Sequence, residues 1–164
     1  MSEHKARVAV VMGSASDQSV MNDTRGILEE FGVPCEVRVL SAHRTPDEAA
    51  AYFKEAEGRG IRVLICAAGG AAHLAGAAAA HSLLPVIAVP LDSSPLKGWD
   101  ALLSSVQMPP GVPVAAVSVG AWGAQNAAYL AIAILALQDS GLRGKLEDFR
   151  RVQREKILKG NAGR

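Results

Sequence analysis

The sequence has 164 residues, of which 49% are hydrophobic and 20% are charged. This length suits one domain with its own core, and this composition excludes a disordered chain. The formal net charge of +1 is too small to indicate binding to nucleic acid or to an anionic membrane. We therefore expect a single domain spanning residues 1–164.

Strand and helix patterns alternate along the first half of the chain. Strands are predicted at Val8–Met12, a short apolar run, and at Cys35–Leu40, whose alternating pattern is typical of a strand nearer a sheet edge. Helices are predicted from about Asp17 to Phe31 and from Pro46 to about Glu57. Thr45 is the expected side-chain cap of the second helix.

The second half continues this alternation. Strands are predicted at Ile61–Ala67, Pro85–Pro90 and Val112–Val119. Helices are predicted from the Gly69-Gly70 turn to about Leu83, near Lys97–Val106, at Trp122–Gln138 and at about Gly144–Leu158. Such alternation is typical of a three-layer, doubly wound parallel sheet. We therefore expect a flavodoxin-like α/β fold with five strands and an extended C-terminal helix.

The predicted helix Trp122–Gln138 lacks a polar face, since every side chain from Ala127 to Leu137 is apolar or aromatic. A helix on the outside of a monomer normally keeps one polar side. The alternative is a helix enclosed within one domain, but a fold of this size has few places for one. We therefore expect an obligate homo-oligomer that buries this helix between subunits.

Two stretches without charged residues, Val63–Leu91 and Ala101–Gln138, are long enough to suggest membrane spans. Glycine, proline and histidine interrupt both, so we expect no membrane association. The N-terminus carries no recognisable secretory or transit signal. Cys35 and Cys66 form no metal-binding pattern and suit a reducing compartment. The expected location is the cytoplasm.

Polar clusters directly follow three predicted strands. They are Gly13–Asp17 (GSASD), Ser41–Pro46 (SAHRTP) and Gly69–Leu74 (GGAAHL). Ligands of open parallel sheets bind outside the carboxyl ends of the strands. Three such clusters are much less expected by chance than one, so we expect them to form one site.

The first cluster suits a sugar phosphate. Gly13 allows close approach of the backbone, Ser14 and Ser16 offer hydroxyl groups, and the following helix N-terminus attracts an anion. Asp17 could accept hydrogen bonds from two sugar hydroxyl groups. The alternative is an ordinary serine-rich turn in which Asp17 caps the helix.

The other two clusters add groups for proton transfer. His43 supplies a side chain of the type that titrates near neutrality, and Arg44 supplies a fixed cation for a phosphate. Glycines and alanines leave space beside the backbone near His73. The alternatives are a solvated His-Arg pair and a buried, satisfied histidine at position 73.

Four segments together resemble the signature segments of the PurE family, the N5-carboxyaminoimidazole ribonucleotide mutases of purine biosynthesis. They are Val11–Asp17 (VMGSASD), Ser41–Pro46 (SAHRTP), Gly69–Leu74 (GGAAHL) and Ser105–Pro109 (SVQMP). They keep the family's order and spacing across a core of about residues 7–158. The third segment resembles the bacterial mutase branch, class I, because related carboxylases that use free CO2 carry Arg-Ser-Asn there. Ala75 stands where the family usually has proline.

The resemblance implies an isomerase that moves a carboxylate from N5 to C4 of an aminoimidazole ribonucleotide during IMP synthesis. It implies His43 as acid and then base, His73 beside it in the CO2 pocket, and no metal, ATP or redox cofactor. The implied substrate-binding residues are Gly13, Ser14, Ser16, Asp17, Ser41, Arg44, Gly69, Gly70, Ala71 and Leu74. The family also implies a homo-octamer and leaves open a transient contact with the synthetase that makes the unstable substrate.

Three other functions remain open from the residues alone. One is a CO2-dependent aminoimidazole ribonucleotide carboxylase of the same superfamily. Another is a flavodoxin-like module that holds FMN or a nucleotide without catalysis, although aromatic residues that could stack on a flavin make up only 4% of the chain. The last is a purely structural oligomer, which would leave the polar strand ends unexplained.

Overall fold

The protein, described here from a computed structural model that covers residues 5–161, contains one parallel sheet. Its five strands lie in the order β2-β1-β3-β4-β5. They are β1 (Val8–Met12), β2 (Cys35–Val39), β3 (Val63–Gly69), β4 (Val86–Leu91) and β5 (Ala115–Ala116). All neighbouring strands pair in parallel, with β2 at an edge. The predicted five-stranded, flavodoxin-like sheet is confirmed.

Helices cover both faces of the sheet. They are α1 (Gln18–Glu30), α2 (Pro46–Arg59), α3 (Leu74–His81), α4 (Trp99–Val106), α5 (Ala121–Leu135) and α6 (Ser140–Asn161). Along β1, Val8, Val10 and Met12 join the apolar cluster under α1 and α5, while Ala9 and Val11 join the cluster under α2 and α3. A strand buried on both faces must be apolar throughout, which explains its unbroken hydrophobic run.

The last strand is much shorter than the predicted Val112–Val119. Only Ala115 and Ala116 pair with β4. The carbonyl oxygen of Pro90 accepts a hydrogen bond from the Gly120 amide, so the backbone of Pro90 faces the β5 side. Because proline has no N–H to donate, a regular ladder cannot continue past this point.

Helix α5 buries one face within the subunit. Ala124, Ala127, Ala131 and Ile132 are fully buried, and the Thr24 hydroxyl of α1 donates to the Ala124 carbonyl oxygen at 2.7 Å. Small side chains allow α1 and α5 to approach closely. The alternative of enclosure within one domain accounts for that face, and the predicted burial between subunits stays a prediction for the rest of the helix.

The C-terminal helix begins at Ser140, four residues before the predicted start at Gly144. The Asp139 carboxylate accepts a hydrogen bond from the Leu142 amide at 3.1 Å, which is the geometry of an N-cap residue. Asp139 also pairs with Arg7 at 2.9 Å. The capping aspartate was the sequence signal for this earlier start.

The two cysteines lie at different depths of the sheet. Cys66 is buried in the central strand β3, and burial raises the pKa of its thiol to about 12. Cys35 is half-buried in the edge strand β2, where burial also raises its pKa. Within residues 5–161, no helix combines the length and apolar character needed to cross a membrane.

Candidate active site

The carboxyl ends of β1, β2 and β3 surround a cavity of about 310 Å³. Its lining combines residues from all three predicted clusters with Ala68 of β3 and one further loop residue. They are Gly13, Ser14, Ser16, Asp17, Ser41, Ala42, His43, Arg44, Ala68, Gly69, Ala71, His73, Leu74 and Ser93. Every predicted site residue except Gly70 lies on this cavity. Gly70 occupies the adjoining turn with a φ of 62°, a conformation that favours glycine.

The loop after β1 forms a capping box. The Ser14 hydroxyl accepts a hydrogen bond from the Ser16 amide at 3.3 Å, while an oxygen of Asp17 accepts one from the Ser14 amide at 3.1 Å. Asp17 stands at the N-cap position of α1 but makes no side-chain capping bond to that helix. The alternative is therefore right about the N-cap position of Asp17, but its carboxylate turns back to the Ser14 amide and does not bond to α1.

Asp17 is a buried carboxylate at the rim of the cavity, with 6% of its surface exposed. Burial raises the pKa of Asp17, although hydrogen bonds from Ser14 and Ser16 and the charge of Arg44 oppose this shift. A carboxylate with few water contacts favours an incoming hydroxyl donor. The arrangement suits the binding of sugar hydroxyl groups.

Arg44 joins the first two clusters. One terminal nitrogen of its guanidinium donates to the Gly13 carbonyl oxygen at 2.9 Å, and its Nε lies 3.4 Å from the Ser41 hydroxyl oxygen. These contacts fix the cation at the cavity wall while leaving other guanidinium N–H groups for a ligand. Arg44 is exposed, as the alternative of a solvated His-Arg pair expects, but its guanidinium is also hydrogen-bonded to the loop after β1.

Thr45 does not cap α2 with its side chain, contrary to the prediction. Its hydroxyl accepts a hydrogen bond from the Ser41 amide and donates to the Ser41 carbonyl oxygen, both at 3.0 Å. The first helical residue is Pro46, whose nitrogen has no hydrogen to donate. Thr45 instead closes the turn that carries His43 and Arg44.

The two predicted histidines contact each other across the cavity. His43 Nε2 and His73 Nδ1 lie 2.8 Å apart, and their rings meet edge to face with centroids 4.9 Å apart. One nitrogen must donate and the other accept, so the contact holds one hydrogen. Both residues are exposed in the single chain, so the alternative of a buried, satisfied His73 is wrong.

A fourth strand end also reaches the cavity. Ser93, in the loop after β4, lies directly over Gly69, where an added Cβ would collide with the Ser93 hydroxyl. The absence of a side chain at Gly69 therefore allows this loop to lie close to the end of β3. Sequence reasoning missed Ser93, and the available signal was the Asp-Ser-Ser run that follows β4 at the same edge of the sheet.

Four side chains that carry charge or can exchange protons lie at the cavity. Among residues 5–161, no group of three or more His, Cys, Asp and Glu side chains is arranged to hold a metal ion. The groups that can exchange protons or carry charge at the cavity are Asp17, His43, Arg44 and His73. They provide one cation, one buried carboxylate and one imidazole pair.

Known proteins similar to this chain share its length and fold. A model of the family described as AIR carboxylase matches residues 7–156. A protein named N5-carboxyaminoimidazole ribonucleotide mutase from Pseudomonas aeruginosa is 52% identical over 93% of this chain and 94% of its own length. One with the same name from Escherichia coli K12 is 49% identical over 93% and 90%. The crystal structure of Treponema denticola PurE superposes with a TM-score of 0.86 at 29% identity, covering 96% of this chain and 97% of that one.

Proposed function

Because the chain belongs to the AIR carboxylase family, we propose that it is an N5-carboxyaminoimidazole ribonucleotide mutase of purine biosynthesis, with His43 as its proton-transfer residue. It is an isomerase that moves a carboxylate from N5 to C4 of its ribonucleotide substrate. Relatives with this name are 49% and 52% identical to the chain. The observation that supports the assignment of His43 is its contact with His73 inside a cavity formed by three strand ends.

The reaction needs an acid and then a base at the same place. The protonated His43 ring gives a proton to N5 of the carbamate, the bond between N5 and the carboxyl carbon breaks, and CO2 is released. The electron-rich C4 then forms a bond to this CO2. The proton on C4 passes to the neutral His43 ring, which restores the aromatic imidazole of the product and the starting state of the enzyme.

His73 suits this sequence because a ring nitrogen can be either donor or acceptor. An ionised carboxylate partner could only accept a hydrogen bond and would favour one protonation state of His43. At 2.8 Å from His43 Nε2, the Nδ1 atom of His73 can remain hydrogen-bonded while His43 gives a proton to the substrate and later takes one back. We assign to His73 the role of holding the His43 ring in place.

The remaining lining residues divide between the two ends of the substrate. Arg44 and the hydroxyls of Ser14 and Ser16 bind the 5′-phosphate, and Asp17 accepts hydrogen bonds from the ribose. The walls formed by Gly69, Ala71 and Leu74 enclose the carboxylate and the freed CO2. CO2 binds weakly, so small apolar walls that exclude water serve it better than strong polar contacts. Gly13 and Ser41 shape the floor between these two ends.

A homo-octamer remains our proposal for the assembly. Helix α4 exposes an apolar side formed by Trp99, Leu103 and Val106, at spacings of four and three residues, and Trp99 is 68% exposed. Trp122 at the start of α5 is 77% exposed. Such surfaces are costly to leave in water and favour contacts between copies. Sedimentation analysis should give eight times the chain mass, and a monomer at micromolar concentration would contradict the proposal.

We also propose a cytoplasmic location. The two cysteines are free, and they lie in different strands of a sheet that needs no disulfide to hold it. Free thiols without a partner suit a reducing compartment. Fractionation of cells that produce the protein, with a cytoplasmic marker enzyme alongside, tests this location.

The decisive experiment follows the ultraviolet absorbance of carboxyaminoimidazole ribonucleotide. The mutase should interconvert the N5- and C4-carboxylated ribonucleotides at a rate that added bicarbonate does not change. Turnover that starts from aminoimidazole ribonucleotide and requires bicarbonate or CO2 would instead identify a carboxylase. A bound yellow flavin with no turnover of either ribonucleotide would identify a flavodoxin-like module.

A further inference from the structure

Helix α4 is tied to the loop that carries His73 through the side chain of Ser104. The Ser104 hydroxyl oxygen accepts a hydrogen bond from the Ala72 amide at 3.1 Å. The same hydroxyl donates to the Ala101 carbonyl oxygen one turn earlier in the helix, also at 3.1 Å. Ser104 is not among the residues that line the cavity, so it has no direct contact with a ligand there.

The acceptor that Ser104 offers is held rigidly. Since its hydrogen points to Ala101, its lone pairs are free to face Ala72. Ala101 is fully buried, which anchors this turn of α4 against the core. The Met108 sulfur, two residues after the end of α4, lies 3.4 Å from the position of a Cβ built on Gly76, so the segment that follows α4 also packs against α3.

The position of the Ala72 amide determines where the backbone of the next residue, His73, lies. Ala72 is 3% exposed and lies at the centre of a tight turn, in which the His73 amide donates to the Ala71 carbonyl oxygen at 2.8 Å. The His73 carbonyl oxygen then accepts the first hydrogen bond of α3, from Ala77. Ser104 therefore fixes the backbone amide of the residue that directly precedes His73, two residues after the Gly69-Gly70 turn.

We propose that Ser104 is a positioning residue that sets the His73 ring against His43, an inference that rests on the proposed proton-transfer role of the pair. Without this acceptor, the Ala72 amide would seek another partner and the turn would gain freedom. His73 Nδ1 would then meet His43 Nε2 less often at 2.8 Å. The chemical step would slow, while the phosphate and ribose contacts would stay intact.

Ser105 provides a matched control on the same helix. Its hydroxyl donates to the same Ala101 carbonyl oxygen at 2.8 Å, but no hydrogen bond joins it to the loop of His73. Ser104→Ala should lower kcat by about fivefold, the effect of one lost hydrogen bond, with KM within about twofold. Ser105→Ala should leave kcat near the wild-type value, and Ser104→Thr, which keeps the acceptor oxygen, should restore it.

Two further measurements separate positioning from general loss of structure. In a His73→Asn background, Ser104→Ala should cause no additional fall in kcat, because the ring it orients is absent. Nuclear magnetic resonance of protein labelled with ¹⁵N-histidine should show the contact between the two rings in wild type and in Ser105→Ala, and its weakening in Ser104→Ala. This spectrum needs no turnover, so it tests the positioning even if the mutase assignment fails.

Equal losses in Ser104→Ala and Ser105→Ala would overturn the proposal, as would a full fivefold fall in the His73→Asn background. An unchanged histidine spectrum in Ser104→Ala would do the same. Thermal unfolding of each variant shows whether a loss of kcat follows the loss of folded protein. A fall in kcat that matched the folded fraction would assign Ser104 a purely structural role.

Discussion

Replacing His43 with Asn removes an imidazole and leaves an amide of similar size that cannot exchange protons near neutral pH. The same ring is proposed to give one proton and take another in each turnover. General acid-base catalysis contributes roughly 10²–10⁴-fold to a single step. Because both steps depend on His43, we expect kcat to fall by at least about 10³-fold.

The substitution should leave the fold and the binding of substrate almost unchanged. His43 is exposed, and its only hydrogen bond to another side chain in the described residues is the 2.8 Å contact with His73. Loss of one such hydrogen bond costs about 1 kcal/mol or less at an exposed position. Isothermal titration with the C4-carboxylated ribonucleotide should therefore give a Kd within about threefold of wild type.

The assay is the ultraviolet absorbance of the C4-carboxylated product, with His81→Asn as the matched control. His81 is the exposed last residue of α3 and lies outside the cavity lining. Its variant should keep wild-type kcat. A His43→Asn enzyme with kcat within about tenfold of wild type would refute the reasoning, since proton transfer would then not depend on the His43 ring.

Three further substitutions test other parts of the site. Arg44→Ala should raise KM by about 10- to 100-fold with little change in kcat, because charge-assisted hydrogen bonds contribute roughly 1.5–3 kcal/mol. The control Arg38→Ala, at an exposed position, should change neither constant, and equal KM values for the two variants would contradict phosphate binding by Arg44. Asp17→Asn should raise KM and also raise Tm at pH 7, since burial disfavours the charged carboxylate and raises the pKa of Asp17. This gain in Tm should vanish as the pH falls through that pKa, because the wild-type carboxyl is then protonated. A gain in Tm that stayed constant with pH would contradict the burial effect. Gly69→Ala should abolish turnover, because the added methyl group collides with the Ser93 hydroxyl. Adding Ser93→Ala should restore only part of the turnover, since the Cβ of residue 93 still lies 3.2 Å from the added methyl group. No recovery would show that the damage has another cause.

The sequence predicted the central part of the sheet well because burial on both faces leaves little choice of residue. Val8–Met12 is apolar throughout and has the predicted bounds. A parallel sheet also brings all strand ends to one edge, so clusters far apart in sequence could be predicted to meet. His43 and His73 are 30 positions apart at the two ends of one crossover, and the position of both rings follows from it.

The local details that sequence reasoning missed depend on competition between hydrogen-bond partners. Thr45 had a residue type typical of a cap, but its hydroxyl is bonded to the Ser41 amide and carbonyl oxygen and not to the first amides of α2. The length of β5 depended on which side of β4 the Pro90 nitrogen faces, which no pattern in the last strand reveals. Ser93 required knowledge that its loop folds over Gly69.

The two cysteines allow the opening of the sheet to be measured by thiol alkylation. A thiol reagent can reach Cys35 when the edge strand β2 frays, whereas it can reach Cys66 only when the central strand β3 separates from its neighbours. The ratio of the two alkylation rates therefore distinguishes local from global opening in an unmodified chain. A ligand bound at the strand ends should slow each rate only as far as it holds β2 and β3 against the strand β1 that lies between them.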